Sequence, residues 1–181
     1  MWRYFNLWVN ETSIEGLLVL NHDKHHDIRG SFERTYCKDE FLRLGLTTDF
    51  AQTSLSFNKT INTLRGLHYQ QNPHQEVKLV KCLNGIIYDV VVDLRENSPT
   101  YHFWHSEILN SEDGKSILVP EGCAHGFLTL KENTTILYQI SAFYNHSSAT
   151  GVRWNDPKLS IVWPKIPDVI SERDNNFPLI T

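Results

Sequence analysis

Short apolar runs separated by turn residues fill the middle of the chain. Residues 77–83 are apolar with polar interruptions, Asn84 and Gly85 follow, and residues 86–94 are rich in β-branched side chains. Two such runs joined by Asn-Gly predict a β-hairpin. Comparable runs recur at 116–119, 127–130 and 135–144. Strands at this spacing predict a mainly β fold, built as a sandwich or a barrel.

Helical periodicity is scarce in this chain. Residues 38–44 (KDEFLRL) predict one short helix on the N-terminal side of the sheet. Prolines punctuate the C-terminal third, at Pro157, Pro164, Pro167 and Pro178. They favour loops and short turns that wrap the strands. We find no internal repeat or low-complexity tract, so we expect residues 1–181 to form one domain.

The net charge limits the kinds of partner that the chain is expected to bind, and the cysteine pattern indicates its compartment. The 181 residues carry 17 basic against 21 acidic side chains, a net charge of −4, which disfavours nucleic-acid binding. No apolar stretch approaches the roughly 20 residues of a membrane span, and polar residues interrupt the N-terminal run. Cys37, Cys82 and Cys123 are odd in number and far apart. We therefore expect free thiols in the reducing cytoplasm.

Nine histidines are the unusual feature of the composition. His22, His25 and His26 stand in a polar stretch typical of a surface loop. If residues 102–105 form a strand, His102 and His105 point to opposite faces, because side chains alternate. Neither group has the spacing of a metal site, so we expect no metal.

The densest polar constellation lies at 65–70 (RGLHYQ). Strand alternation places His68 on the face opposite Leu67 and Tyr69. A core histidine whose hydrogen bonds are satisfied would explain His68 as well as a functional role does. However, Lys78 interrupts one apolar strand, and Asp89 and Asp93 interrupt the next. Such side chains are rarely buried unpaired, so they indicate a polar cavity inside a small barrel.

Three further segments carry candidate chemistry. Turn chemistry explains Pro120 and Gly122 in the segment 120–127 (PEGCAHGF) but leaves His125 unexplained. Tyr138 and Tyr144 lie six residues apart in a predicted strand and would face the same way, as core residues or as proton donors. Asp174 lies in a polar segment that reads equally as a solvated loop or as the partner of a histidine.

Several motifs in one order carry a family resemblance that spans about residues 16–179. They are 65–70 (RGLHYQ), 78–80 (KLV), 88–95 (YDVVVDLR), 98–100 (SPT), 120–127 (PEGCAHGF), 153–157 (RWNDP) and 161–164 (IVWP). Together they resemble the dTDP-4-dehydrorhamnose 3,5-epimerase family of nucleotide-sugar epimerases. The resemblance implies a cupin-type antiparallel β-barrel (jelly roll) with few short helices, a homodimer, and no metal or cofactor.

The family's reaction is proton abstraction next to a ketone. The C4 carbonyl of a nucleotide-linked 4-keto-6-deoxyhexose acidifies the hydrogens at C3 and C5, and an acid on the opposite face returns the proton. The resemblance implies that His68 is the base and that Asp174 completes its dyad. It also implies that Lys78 stabilises the enolate and that Tyr138 is the acid.

The resemblance also implies the residues that bind the nucleotide sugar. Tyr144 is expected to line the pocket, and His125 and Arg65 to contact the sugar or the phosphates. Arg29 is expected to hold the diphosphate, since arginine suits phosphate geometry. Phe32 is expected to pack near the base.

Two departures from the family pattern fall on nucleotide recognition. Arg34 stands where the family usually has Glu, and residues 52–56 (QTSLS) replace its Gln-x-Asn-x-Ser segment, which affects Gln52 and Ser54. A change from acid to base reverses what the side chain can accept or donate. A CDP-linked or dideoxy sugar and inversion at one carbon therefore stay open. So do a 3,4-ketoisomerase and a non-catalytic sugar-binding barrel.

Overall fold

The computed structural model describes residues 6–180. These residues alternate between strands and turns, with only two short helices among them. The first strands and the first helix are β1 (Leu7–Glu11), β2 (Leu18–His22), β3 (Lys24–Asp27), β4 (Gly30–Glu33) and α1 (Lys38–Arg43). The remaining elements are β5 (Gln52–Asn58), β6 (Leu64–Gln70), β7 (Lys78–Asn84), β8 (Ile86–Asp93), β9 (Trp104–Asn110), β10 (Lys115–Val119), β11 (Cys123–Thr129), β12 (Thr134–Ile140), β13 (Ala149–Gly151) and α2 (Glu172–Asn175).

Two large antiparallel sheets face each other across the core. One has six strands in the order β1-β2-β10-β7-β12-β5, and the other has five in the order β13-β6-β11-β8-β9. The strands β3 and β4 form a separate two-stranded hairpin. This architecture confirms the expected cupin-type jelly roll with few helices, since the named strand pairs are antiparallel.

The central core is built from both sheets. Val80 and Ile136 of the six-stranded sheet pack in one cluster with Val91 and Phe127 of the five-stranded sheet. All four side chains are fully buried. Side chains alternate along each strand, so every second residue points toward the core. Other inward-facing positions, near one end of this core, hold the polar side chains of the candidate site that is described in the next subsection.

The strands around Asn84-Gly85 do not form the predicted hairpin. The strand β7 pairs with β10 and β12, whereas β8 pairs with β9 and β11. The turn instead carries the chain from one sheet to the other. Gly85 has a φ of +90°, and a Cβ there would lie 2.3 Å from Thr134 Oγ1, so glycine suits this crossing. The hairpin prediction was wrong because both edges of β7 and both edges of β8 are paired with other strands.

The predicted helix is confirmed as α1. Its Phe41 is fully buried against Leu20, Leu79 and Leu118 on the outer face of the six-stranded sheet. The C-terminal third is also as expected, since after β13 it holds only loops and the four-residue α2. No helix among residues 6–180 is long and apolar enough to cross a membrane.

Two local predictions were wrong. The strand β12 ends at Ile140, where its neighbours β5 and β7 begin, so Tyr144 lies in a loop rather than on the strand of Tyr138. His22 ends β2 and is buried rather than in a surface loop, with its Nε2 2.7 Å from Ser116 Oγ. Burial, with the nearby charge of Lys81, lowers the pKa of His22 to about 4.

Asp93 does not line the cavity that the sequence indicated. It lies at the end of β8, where its carboxylate accepts bonds from Arg95, Ser98 and Thr100. Burial alone would raise the pKa of Asp93, but these hydrogen bonds hold it well below its usual range. Asp93 therefore stabilises the turn between β8 and β9.

Candidate active site

His68 and Asp174 form a hydrogen-bonded pair at the end of the core. His68 Nε2 lies 2.8 Å from Asp174 Oδ1, and the His68 side chain is 42 % exposed against 7 % for Asp174. A carboxylate only accepts hydrogen bonds, so the Nε2 of neutral His68 carries the proton and Nδ1 keeps its lone pair. This arrangement is that of a general base held by a carboxylate.

Two further hydrogen bonds hold Asp174 in place. The Gly66 N–H donates to Asp174 Oδ2 at 2.9 Å, and the Asp174 N–H donates to Ser171 Oγ at the start of α2. Burial alone would raise the pKa of Asp174, but the bonds from His68, Gly66 and Ser171 bring it below its ordinary value. Asp174 is therefore an anion at neutral pH and favours the Nε2–H form of His68.

Lys78 lies next to the dyad at the start of β7. Its Nζ donates to the His68 carbonyl oxygen at 2.9 Å and forms an ion pair with Glu76 Oε1 at 2.9 Å. An ammonium group has three protons, so it can still donate to a ligand. No sequence motif pointed to Glu76. Its position two residues before Lys78 was the available signal, since residues i and i+2 of an extended chain face the same way.

A pocket with a volume of about 180 Å³ opens beside these groups, and we call it the His68 pocket. Gln52 and Ile140 reach it because they pair with each other, and Ile140 with Lys78, so all three share one face of the six-stranded sheet. The Gln52 side chain also accepts the Tyr144 N–H at 2.8 Å, which holds the loop of Tyr144 at the rim. The lining residues are Gln52, His68, Tyr69, Gln70, Glu76, Lys78, Ile140, Ala142, Tyr144, Ala149, Thr150 and Arg173.

Tyr138 lies deeper than the His68 pocket, on the inner face of β12. It is directly opposite Ser54 of β5 and Val80 of β7, and it packs against the core cluster. Burial raises the pKa of Tyr138 well above its ordinary value, and the negative charge of Asp89 acts in the same direction. The phenol is therefore protonated at neutral pH, as a proton donor must be.

His125 and Asp89 form a second histidine–carboxylate pair. His125 is directly opposite His68 in the register of β11 and β6. Its Nε2 lies 2.8 Å from Asp89 Oδ2, and both side chains are buried. The ring of Tyr138 meets the ring of His125 edge-on, with centroids 6.0 Å apart. The structure thus places Asp89 at an inward position, as the sequence indicated, and makes it the partner of His125.

Arg65 lines a second cavity on the other side of His68. This cavity has a volume of about 400 Å³, and Asp174 and Arg173 also line it. The Arg65 Nε donates to Asn58 Oδ1 at 2.7 Å, which fixes the guanidinium at the end of β5. Arg173 lines both cavities. No local pattern distinguishes it from a solvated arginine.

The structure does not bring Arg29, Phe32 and Arg34 to the His68 pocket of the same chain. Arg29 and Phe32 lie on the β3–β4 hairpin, where Arg29 binds Asp27 and is mostly exposed. Arg34 Nη1 instead binds Glu40 Oε1 of α1 at 2.9 Å. A buried carboxylate needs a cation, and Glu40 explains a basic residue at position 34.

Three further histidines, His74, His102 and His105, lie outside the candidate site. His74 Nδ1 lies 2.9 Å from Ser148 Oγ, and His105 Nδ1 lies 3.3 Å from Ser13 Oγ. His102 precedes β9 with a φ of +65°, so His102 and His105 do not share a strand. Within residues 6–180, no group of three or more His, Cys, Asp or Glu side chains is arranged to hold a metal ion.

Comparison with known proteins supports the resemblance drawn from the motifs. The family model for dTDP-4-dehydrorhamnose 3,5-epimerase matches residues 11–181. The Salmonella typhimurium enzyme of that name is 38 % identical over 95 % of this chain and 94 % of its own length. The Bacillus anthracis enzyme, crystallised with TDP and PPi, matches with a TM-score of 0.94 and 38 % identity, covering 97 % of this chain and 100 % of that one.

A relative that is named as a 3-epimerase is also similar to this chain. The dTDP-4-dehydrorhamnose 3-epimerase of Streptomyces niveus is 34 % identical over 92 % of this chain and 81 % of its own length. Fold and sequence agree across almost the whole length of the chain. The chain therefore belongs to the dTDP-4-dehydrorhamnose 3,5-epimerase family.

Proposed function

We propose that this protein is an isomerase that inverts C3 and C5 of a dTDP-linked 4-keto-6-deoxyhexose, as its family name describes. The observation that carries the proposal is the His68–Asp174 pair, which lies beside the Lys78 ammonium on one pocket. A base next to a fixed cation suits removal of a proton alpha to a ketone, because the cation stabilises the enolate oxygen.

Inversion needs a base and an acid on opposite faces of the sugar ring. His68 comes from the five-stranded sheet, whereas Lys78 and Tyr138 come from the six-stranded sheet that faces it. In this proposal His68 removes the proton from one face, Lys78 holds the C4 oxygen, and Tyr138 returns a proton from the other face. His125 binds the sugar between them.

The diphosphate is assigned to the arginines outside the dyad. Arg65 and Arg173 both border the cavity next to His68 and present guanidinium groups that match phosphate geometry. Gln52, Ser54 and Tyr144 would then contact the substrate from the rim of the six-stranded sheet. In this proposal Arg34 does not select the nucleotide, because its guanidinium is paired with Glu40.

Deuterium incorporation from heavy water tests this function. We expect the protein to introduce deuterium at both C3 and C5 of dTDP-4-keto-6-deoxyglucose, and NMR would locate both positions. The CDP-linked sugar is the control for the nucleotide and should react more slowly. Tight binding without exchange would instead indicate a sugar-binding barrel, and movement of the carbonyl to C3 would indicate a ketoisomerase. Either result would reject the proposal.

Inversion at C3 alone is the second candidate. It is favoured by the similarity to the Streptomyces niveus protein, which is named as a 3-epimerase. The same NMR experiment separates the two candidates, because a C3 epimerase leaves hydrogen at C5.

We also propose that two copies of the chain assemble as a homodimer through the outer face of β5. Leu55 and Phe57 are 66 % and 58 % exposed on this strand, which lies at the edge of the six-stranded sheet. An antiparallel edge strand is complementary to a second copy of itself about a two-fold axis. The apolar side chains would be covered by the same contact.

The Phe57→Glu substitution tests the dimer. We expect light scattering to give twice the chain mass for the wild type and the chain mass for this variant, because a carboxylate is costly to bury. Phe103→Glu is the matched control, since Phe103 is also exposed but lies just before β9 on the other sheet. A wild type that is monomeric at micromolar concentration would disprove the assembly.

Two coarser expectations remain part of this proposal. We place the protein in the cytoplasm, supported by its three free cysteines, because disulfides are rare in reducing compartments. We treat residues 1–181 as one domain, supported by the core cluster shared between the two large sheets.

A further inference from the structure

Glu76 is a buried carboxylate that the family reaction leaves without a role. The residue is 7 % exposed and lines the His68 pocket. Its Oε1 lies 2.9 Å from Lys78 Nζ. Its Oε2 is buried and has no hydrogen-bond partner among the described residues.

Burial of Glu76 carries a desolvation cost, which the ion pair with Lys78 opposes. A buried carboxylate loses its hydration, and an oxygen without a donor recovers none of that loss. Glutamine in the same place could accept the Lys78 hydrogen bond through its amide oxygen with a smaller desolvation penalty. A hydrogen bond to Lys78 therefore does not require glutamate, and what glutamate adds is negative charge.

We propose that Glu76 is a positioning residue that keeps the Lys78 ammonium protonated and directed at the substrate oxygen. The Lys78 ammonium donates to the His68 carbonyl oxygen and is ion-paired with Glu76 Oε1, and it keeps a proton that can be donated to the C4 oxygen. Lys78 is nearly buried, and burial favours the neutral amine unless a carboxylate opposes it. Glu76 supplies that carboxylate. This inference rests on the proposed epimerase function.

The other charged and titratable groups around Lys78 do not replace Glu76. From β6 and α2, His68 is already paired with Asp174, and Arg173 carries a positive charge. From the loop after β12, Tyr144 contributes a neutral phenol at the pocket rim. From β11, burial raises the pKa of Cys123 to about 12, so its thiol is also neutral. Glu76 is the carboxylate in contact with Nζ among the described residues.

The pH profile of a Glu76→Gln variant tests the inference. We expect its rate of deuterium exchange to be within about twofold of the wild type near pH 6.5. On the alkaline side the rate should fall about one pH unit earlier than in the wild type, so at a pH where both rates are falling the variant should be about tenfold slower. Without its counter-ion, Lys78 gives up its proton more readily. The melting temperature should be equal to or lower than that of the wild type, because the buried Lys78 ammonium loses its ion-pair partner.

Two further variants control the experiment. Glu76→Asp keeps the charge, so its alkaline limb should lie near that of the wild type even if its rate is lower. Glu132→Gln removes an exposed glutamate and should leave the profile unchanged. Profiles of Glu76→Gln and wild type that are parallel at every pH would overturn the inference while leaving the epimerase intact. A wild type without exchange would instead reject the proposed function, and this inference with it.

Discussion

Replacing His68 with glutamine is expected to reduce deuterium incorporation at C3 and C5 by about a thousandfold or more. Glutamine can still donate its amide N–H to Asp174 Oδ1, which now accepts from His68 Nε2 at 2.8 Å. The carboxylate therefore stays paired, and the local structure should survive. What the variant lacks is a basic nitrogen, so the loss would report on proton abstraction itself.

Two measurements separate this loss from misfolding. The melting temperature and the affinity for dTDP should stay close to those of the wild type, because the diphosphate is assigned to Arg65 and Arg173. His146→Gln serves as the control, since His146 is exposed and outside the cavities described above. If the His68 variant keeps more than about a tenth of the exchange rate, His68 is not the base.

Replacing Tyr138 with phenylalanine is expected to separate exchange from inversion. The ring and its contact with His125 remain, with centroids now 6.0 Å apart, so the core should stay packed. Proton abstraction by His68 does not need the phenol, and deuterium should still enter the substrate. The inverted product should form about a hundredfold more slowly, because no acid remains on the opposite face.

The control for this variant is a phenol that has no role in the proposed reaction. Tyr88→Phe removes a hydroxyl that donates to the Val162 carbonyl oxygen at 2.9 Å and should leave both rates unchanged. An equal loss of exchange and inversion in Tyr138→Phe would contradict its role as the opposite-face acid. Such a result would mean that Tyr138 is needed to bind the sugar or to position His68.

Local patterns were a good guide to the elements and a poor guide to their pairing. Alternating apolar runs correctly indicated a mainly β chain, and the apolar positions of α1 indicated its helix. The Asn84-Gly85 turn, however, joins strands of different sheets. A two-residue turn has the same local chemistry whether its strands pair with each other or separate, so the sequence around it does not distinguish the two outcomes.

The histidines illustrate the same limit. His68, His125 and His22 all lie on strands of the two large sheets, yet they have different surroundings. His68 opens on a pocket, His125 is buried with Asp89, and His22 is buried with Ser116. Burial and partners depend on which strand lies opposite, and that is not a local property of the chain.

By itself, the sequence determined the family, the strand-rich architecture and the set of residues able to carry the chemistry, because motifs and side-chain periodicity are local features. Only the tertiary structure decided which of those residues meet. It joined His68 to Asp174 across 106 positions, placed Glu76 against Lys78, and turned Arg34 toward Glu40. The physical reason is that strand register and chain crossings create these contacts, and both are set by packing of the whole core.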